Sequence, residues 1–229
     1  MVFRHGDPGQ AAGPIGFLPV VVLLGTMGAV ASLHGLRVLE PMGAVAWLGQ
    51  ALDRVTSRQV APLLAALVLA AEAASALAGA MVVMAQQEGW AALRLLGRTP
   101  RTWWGAAALW RGIVGGASYT FVGWLAFVAG GAIVLSVLGR SLEPWMGAFL
   151  RPGLFGDIGT GVLKGAFFGL GVQLTAFCTG EGAIRALAEG RGPAGEEAVG
   201  EAAGTAVVRA LLFLAMAEAI WVFLIEVKG

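Results

Sequence analysis

Apolar stretches of about 20 residues, the length a helix needs to cross the hydrocarbon core of a bilayer, recur along this whole chain. A single stretch would be an anchor, but repetition makes the membrane the solvent for most of the protein. Composition agrees. A soluble domain carries roughly a quarter charged residues, whereas here 13% of 229 residues are charged and 58% are hydrophobic. The chain lacks the polar surface to cover a water-soluble fold. The expected fold is all-α integral membrane, with about five transmembrane helices, an interfacial element and a short amphipathic helix outside the spans.

The polar, breaker-rich segment 1–14, with Arg4, His5, Asp7, Pro8 and Pro14, precedes a single transmembrane domain over 15–229. A first span is expected from Ile15 to Ala31; a secretory signal peptide competes, because Ala29-Val30-Ala31 resembles a small-residue cleavage site. From His34 to Arg58 charged residues are spaced through apolar ones, the pattern of an interfacial or partly re-entrant helix. Pro62 suits the first turn of a second span, where its missing N–H costs nothing, and that span runs to about Met84 with Glu72 its one acid. The polar segment 86–101 follows. In it Trp90, Leu93, Leu96 and Gly97 recur at helical spacing, which predicts a short amphipathic helix over about 86–98.

The region from Trp103 to Leu138 is too long for one straight span and opens with Trp103, Trp104 and Trp110, residues that favour membrane interfaces. It predicts an interfacial lead-in and one long span. Residues 140–157, with Pro144 and Pro152, form an exposed connection; 157–180 make the fourth span, 181–199 a charged loop and 201–227 the fifth span. Positive charges do not orient the bundle. With the N-terminus inside, Arg4, Arg94, Arg98, Arg101, Arg185 and Arg191 are balanced by Arg37, Arg54, Arg58, Arg140, Arg151 and Lys228 outside.

Gly161, Gly165 and Gly169 lie four residues apart on one helix face, where a neighbouring backbone can approach closely, and Gly112/Gly116 and Gly200/Gly204 repeat the spacing. Tight packing within the chain and a dimer interface both fit this pattern. Glu72, Arg111, Lys164, Arg209 and Glu218 fall in or near spans, where ionisable groups are expensive and face a partner or a wet cavity. Mutual neutralisation in an intramembrane charge network, snorkelling to the interface and a direct substrate role all remain open readings.

Chemistry is harder to place. The two histidines, His5 and His34, both precede the second span, which leaves no paired ligands for an intramembrane metal, no axial ligands for haem and no base for Ser118. No phosphate-binding Gly-Lys-Ser/Thr loop occurs, so ATP hydrolysis would have to come from another chain. No cofactor is expected. The net charge of +1 and the lack of a basic block argue against a nucleic-acid partner. Cys178 is read as a small buried thiol in an apolar run. Scarce lysine beside abundant Ala, Gly and Arg suits a G+C-rich bacterial genome.

The segments Arg58-Gln59-Val60-Ala61-Pro62 and Ala71-Glu72-Ala73-Ala74-Ser75-Ala76 resemble two motifs of MlaE-type permeases, the membrane subunits of MCE-associated ABC transporters. Met84, Glu88, Ala92-Leu93, Gly97 and Pro100 keep that family's ungapped spacing. Asp157, Lys164 and Phe168 resemble its Asp…Lys…Phe pattern, and Ala202, Val207-Val208 and Glu218 fall where its last motif and a later acid are found. Glu72, Gly89 and Thr205 depart from the family's Arg, Gln and Arg.

The resemblance implies five spans in a homodimeric or heterodimeric permease of the bacterial inner membrane, moving phospholipid with a separate ABC ATPase and an MCE-domain protein. It implies ATPase coupling through Glu88, Gly89, Trp90, Leu93, Arg94 and Arg98, with 86–101 and 181–199 cytoplasmic and 139–156 outside. A permease for another hydrophobic substrate and a non-transporting scaffold subunit are the alternatives.

Overall fold

The computed structural model describes residues 16–87, 89, 95, 97, 105–149, 153–191, 193 and 195–223. Five helices in it are long and apolar enough to cross a membrane: α1 Leu18–Leu39, α2 Leu48–Gln86, α3 Ala106–Val137, α5 Leu154–Ala188 and α6 Glu196–Trp221. A short helix, α4, covers Glu143–Ala148. No strand occurs among the described residues. By proximity the chain divides into two compact units, Met1–Ala65 with Ala117–Gly165 and Ala66–Gly116 with Ala166–Gly229.

The expected spans are all present as helices, but several are longer than the apolar runs that revealed them. The expected first span, 15–31, is the N-terminal part of α1, and Ala29-Val30-Ala31 lies inside that helix. The segment 34–58 is not an element of its own: its start completes α1, a turn carries the 3-10 helix Val45–Trp47, and its remainder opens α2. Pro62 therefore sits inside a 39-residue helix rather than at its start.

Proline in that position lacks the N–H that would bond the carbonyl four residues back and presses its ring on that carbonyl. The chain widens just before it. Thr56–Val60 is a π-turn, with the Ala61 N–H bonded to the Thr56 carbonyl, and a second π-turn follows at Ala70–Ala74. Part of the expected loop 181–199 is helical too: α5 continues to Ala188, its last turns carrying a Glu181–Arg185 ion pair at 3.6 Å, and α6 begins at Glu196. Both α3 and α5 end on a left-handed glycine, Gly139 and Gly190, after which Arg140 and Arg191 bond the carbonyls of Leu135 and Ala186.

In the first unit α1 buries one stripe, Val20, Leu24, Gly28, Ser32 and Leu36, spaced by four. Its remaining apolar residues, among them Val22, Leu23 and Val30, stay exposed, as suits a helix surrounded by acyl chains. Close approach replaces hydrophobic burial as the packing device. A Cβ on Gly28 would overlap the Phe127 carbonyl of α3, and one on Gly130 would overlap the Gly25 carbonyl of α1.

Residues 140–157 are not simply an exposed connection. Pro144 sits in the first turn of α4, and Trp145 and Ala148 are buried. The Trp145 indole N–H donates to the Val128 carbonyl at 3.1 Å, and its ring lies against Phe127 and Phe149 in the space that glycine leaves at position 131. The aromatic pull of this cluster folds the connection back onto the helices.

In the second unit α6 buries Ala198, Ala202, Ala206, Ala210, Leu214 and Ala217, again spaced by three or four, and it packs on the C-terminal part of α2. Gln86 at the end of α2 donates its Nε2–H to the Gly195 carbonyl at 2.8 Å, tying α2 to the start of α6. Cys178 is exposed, not buried, because α5 turns Phe168, Val172 and Ala176 inward and leaves position 178 on the other side.

Candidate functional site

The polar side chains that α2 buries fall on one face. Asp53 is fully buried, and Thr56 and Ser57 are 2% exposed. The Trp124 indole N–H of α3 reaches the Asp53 carboxylate, Oδ1, at 2.9 Å. Two turns of α5 bring a second charged layer against the same stretch of α2. Asp157 and Lys164 are seven residues apart and so share a face. Arg58 donates from Nε at 2.8 Å and from a terminal guanidinium nitrogen at 2.5 Å, both to Asp157 Oδ1. Lys164, with no exposed surface, donates to the side-chain oxygen of Gln59.

Arg58 and Gln59 are neighbours in sequence yet both engage α5. In an α-helical turn adjacent side chains diverge by about 100°, but these two lie in the π-turn, where more residues per turn bring neighbours closer in direction. Gly161 stands between the two contacts. A Cβ there would overlap the Ser57 carbonyl, so only glycine allows α5 to lie this close to α2.

Taking these charges out of water is costly, and removing either partner would strand the other. The arrangement fixes the registration of two helices rather than presenting a nucleophile and a base. Among the described residues no cluster of three His, Cys, Asp or Glu side chains suits a metal ion.

The expected intramembrane set is divided between the two units, Lys164 in the first and Glu72, Arg111, Arg209 and Glu218 in the second. Lys164 belongs to the layer just described. Arg209 donates to Thr179 Oγ1 at 3.3 Å, and Arg111 Nε donates to its own helix at the Ala107 carbonyl. Glu218 is half-buried. Glu72 lies in the second π-turn with its side chain exposed. No ion pair or side-chain hydrogen bond of Glu72 occurs among the described residues.

The glycines of α5 are in packed positions. Gly161 faces Ser57, Gly165 is buried, and Gly169 meets Gly112 and Gly116 of α3 so closely that a Cβ on Gly112 would lie 2.5 Å from the Gly169 carbonyl oxygen. Gly200 and Gly204 face open space. Of the expected coupling residues, Glu88, Trp90, Leu93, Arg94 and Arg98 lie outside the described residues. Gly89 is helical and sits against Met84, whose Cγ a Cβ would approach to 2.8 Å.

Reading the sequence for charges within spans missed Asp53, Arg58, Gln59 and Asp157, since Asp53 and Arg58 were assigned to an interfacial segment, Gln59 carries no charge and Asp157 stood at the edge of a loop. The small polar residues at 53, 56 and 57, at helical spacing, were the available signal.

The two segments that the structure joins, around Arg58 and around Asp157, both lie within the length over which the chain can be compared with a known family. The model of the permease MlaE matches residues 10–224. The chain belongs to the MlaE permease family. It is thus a multi-pass membrane protein and a permease subunit of a transporter, and its MlaE-type helices carry the buried Arg58–Asp157 and Gln59–Lys164 contacts. No curated protein matches the chain.

Proposed function

We propose that this MlaE-family chain is a single permease domain over 15–229 that moves phospholipid across or out of the bacterial inner membrane, as one half of a dimer driven by a separate ABC ATPase and serving an MCE-domain lipid-binding protein. The observation that supports this most is the family match over 10–224, read together with what its helices offer: lipid-facing apolar surfaces, glycine-mediated close packing and one costly polar layer between α2 and α5. A lipid needs no covalent chemistry to be moved. It needs a cavity whose access changes, and energy from a partner.

In this reading Glu88 to Arg98 docks on the ATPase, with Trp90 and Leu93 as apolar anchors, Gly89 as the close turn, and Glu88, Arg94 and Arg98 as polar contacts. Glu72, exposed on α2, meets a basic group across the subunit boundary. Residues 86–101 and 181–199 face the cytoplasm.

Purification of the tagged chain in mild detergent, with mass-spectrometric identification of co-eluting chains and lipids, tests the assignment. An ATPase and an MCE-domain protein are expected with the wild type. Replacing Trp90 and Leu93 by Ala should preserve insertion and dimerisation while losing the ATPase and ATP-dependent lipid transfer. Wild-type protein that elutes without an ATPase and transfers no lipid on ATP addition refutes the assignment, and a double variant that keeps both refutes the coupling role.

A further inference from the structure

Two ionisable side chains of the second unit stand exposed within spans. Glu72, on α2, makes no ion pair and no side-chain hydrogen bond among the described residues. Arg209 lies near the middle of the 26-residue α6, and of its guanidinium's five donors one reaches Thr179 Oγ1, at 3.3 Å. Acyl chains solvate neither charge, so each calls for a group of opposite sign beside it. The other cations named in the spans are engaged elsewhere: Lys164 is buried in the first unit, and Arg111 bonds the Ala107 carbonyl of its own helix.

Glu72 and Arg209 lie at one depth. The C-terminal part of α2 and α6 run in opposite directions, since Gln86 at the end of α2 bonds Gly195 just before α6. A Cβ on Gly79 would meet Val199 at 3.3 Å, so those two residues are level. Seven residues back along α2 is Glu72, and seven residues forward along α6 is Ala206, less than one turn from Arg209. The Ala70–Ala74 turn that carries Glu72 packs on α6 accordingly. The two charges nevertheless stand on opposite flanks of α6. α2 covers the flank of Val199, whereas Arg209 turns toward α5, where it reaches Thr179 and where Phe213 fills the space beside Gly171. Between these flanks α6 presents an outward face. Gly204, Val208, Leu211 and Ala215 recur on it at spacings of four, three and four, all exposed, and Gly204 has nothing within 4 Å of where a Cβ would stand.

We infer that this face of α6 seats the same face of a second copy of the chain, with Glu72 of each copy paired to Arg209 of the partner subunit. The contact rests on the dimer proposed above and makes it a homodimer. A two-fold axis along the membrane normal keeps every residue at its depth and sets the left flank of one copy against the right flank of the other. Glu72 and Arg209, level with each other on opposite flanks, are therefore brought together twice, once on each side of the facing α6 helices. Gly204 near the centre lets the two backbones approach. A planar guanidinium suits a carboxylate through two parallel hydrogen bonds, which supplies the counter-charge that Thr179 does not. Two copies of one sequence thus neutralise four charges that acyl chains would leave unsolvated.

The test uses the full-length chain purified in mild detergent, with the dimer fraction read by native mass spectrometry across a dilution series. Wild-type protein, purified without any other subunit, should be a dimer. Glu72→Arg sets two arginines together and Arg209→Glu two acids, and each should weaken dimerisation by about tenfold or more. The double variant, with both charges reversed, should recover most of that loss, which repair of a folding defect would not explain. In a Cys178→Ala background with the native charges, Gly204→Cys, placed where the single chain leaves open space, should form a disulfide between copies. Monomeric wild type overturns the dimer itself along with the contact. A dimeric wild type whose charge reversals dimerise equally well, or a double variant no better than either single one, overturns the ion pair while the dimer stands. A dimer that Gly204→Cys does not cross-link overturns the choice of face.

Discussion

Arg58 on α2 and Asp157 on α5, 99 residues apart in sequence, are joined through a single carboxylate oxygen that accepts from two guanidinium nitrogens. The Asp157 side chain is 8% exposed and that of Arg58 45%, so the pair sits between the surface and the buried regimes. Asp157→Asn should therefore lower stability by about 2 kcal/mol, above the range of exposed pairs and below that of fully buried ones. Replacing Arg58 by Met in the same chain should recover part of the loss, because the stranded charge is then gone. Thermal unfolding in detergent across the two single variants and the double variant gives the coupling; strictly additive losses would contradict it.

Glycine spacing alone does not identify the critical glycines. Gly161→Ala places a methyl group on the Ser57 carbonyl and should cost about 1–3 kcal/mol through forced separation of α2 and α5. Gly200→Ala meets nothing within 4 Å and lies inside α6, so it should stabilise by up to about 1 kcal/mol through helix propensity. Opposite signs in a melting assay are the expected outcome. A loss of similar size in both would mean that the four-residue spacing matters by itself.

Topology can be tested at two exposed sites in turns, Ser141 after α3 and Arg191 after α5. Four residues beyond Ser141, Trp145 is buried and unsuited to labelling. In a background with the exposed Cys178 replaced by Ala, cysteines at 141 and 191 should react with a membrane-impermeant maleimide from opposite sides of sealed vesicles. Labelling of both from one side would refute the alternation of spans.

The helices were legible because the bilayer imposes one simple requirement on every span, and runs such as Ile15 to Ala31 or Phe121 to Leu138 meet it openly. Helix ends were less legible, since polar residues such as Glu181 and Arg185 continue a helix once it leaves the apolar region, and no hydropathy change marks that continuation. Trp145 was hidden for a different reason. Its connection looked exposed because it contains Pro144 and Pro152, and only the three-dimensional cluster with Phe127 and Phe149 shows that the indole is interior. The polar layer was visible only as fragments: Lys164 stood out as a cation in a span, while its partner Gln59 is a neutral residue that no charge pattern selects.

The two wide turns of α2, at Thr56–Val60 and Ala70–Ala74, each hold one residue more than the α-helical turns around them. An added residue advances the helix phase by about 100°, so residues before, between and after the wide turns keep three separate phases along one rod. A wide turn can migrate by exchanging one carbonyl's partner for the next. When it passes a residue, that side chain swings around the axis while both helix ends remain anchored. The backbone of α2 thus contains two dislocations of the helical repeat, and Arg58, Gln59 and Glu72 are the residues seated on them.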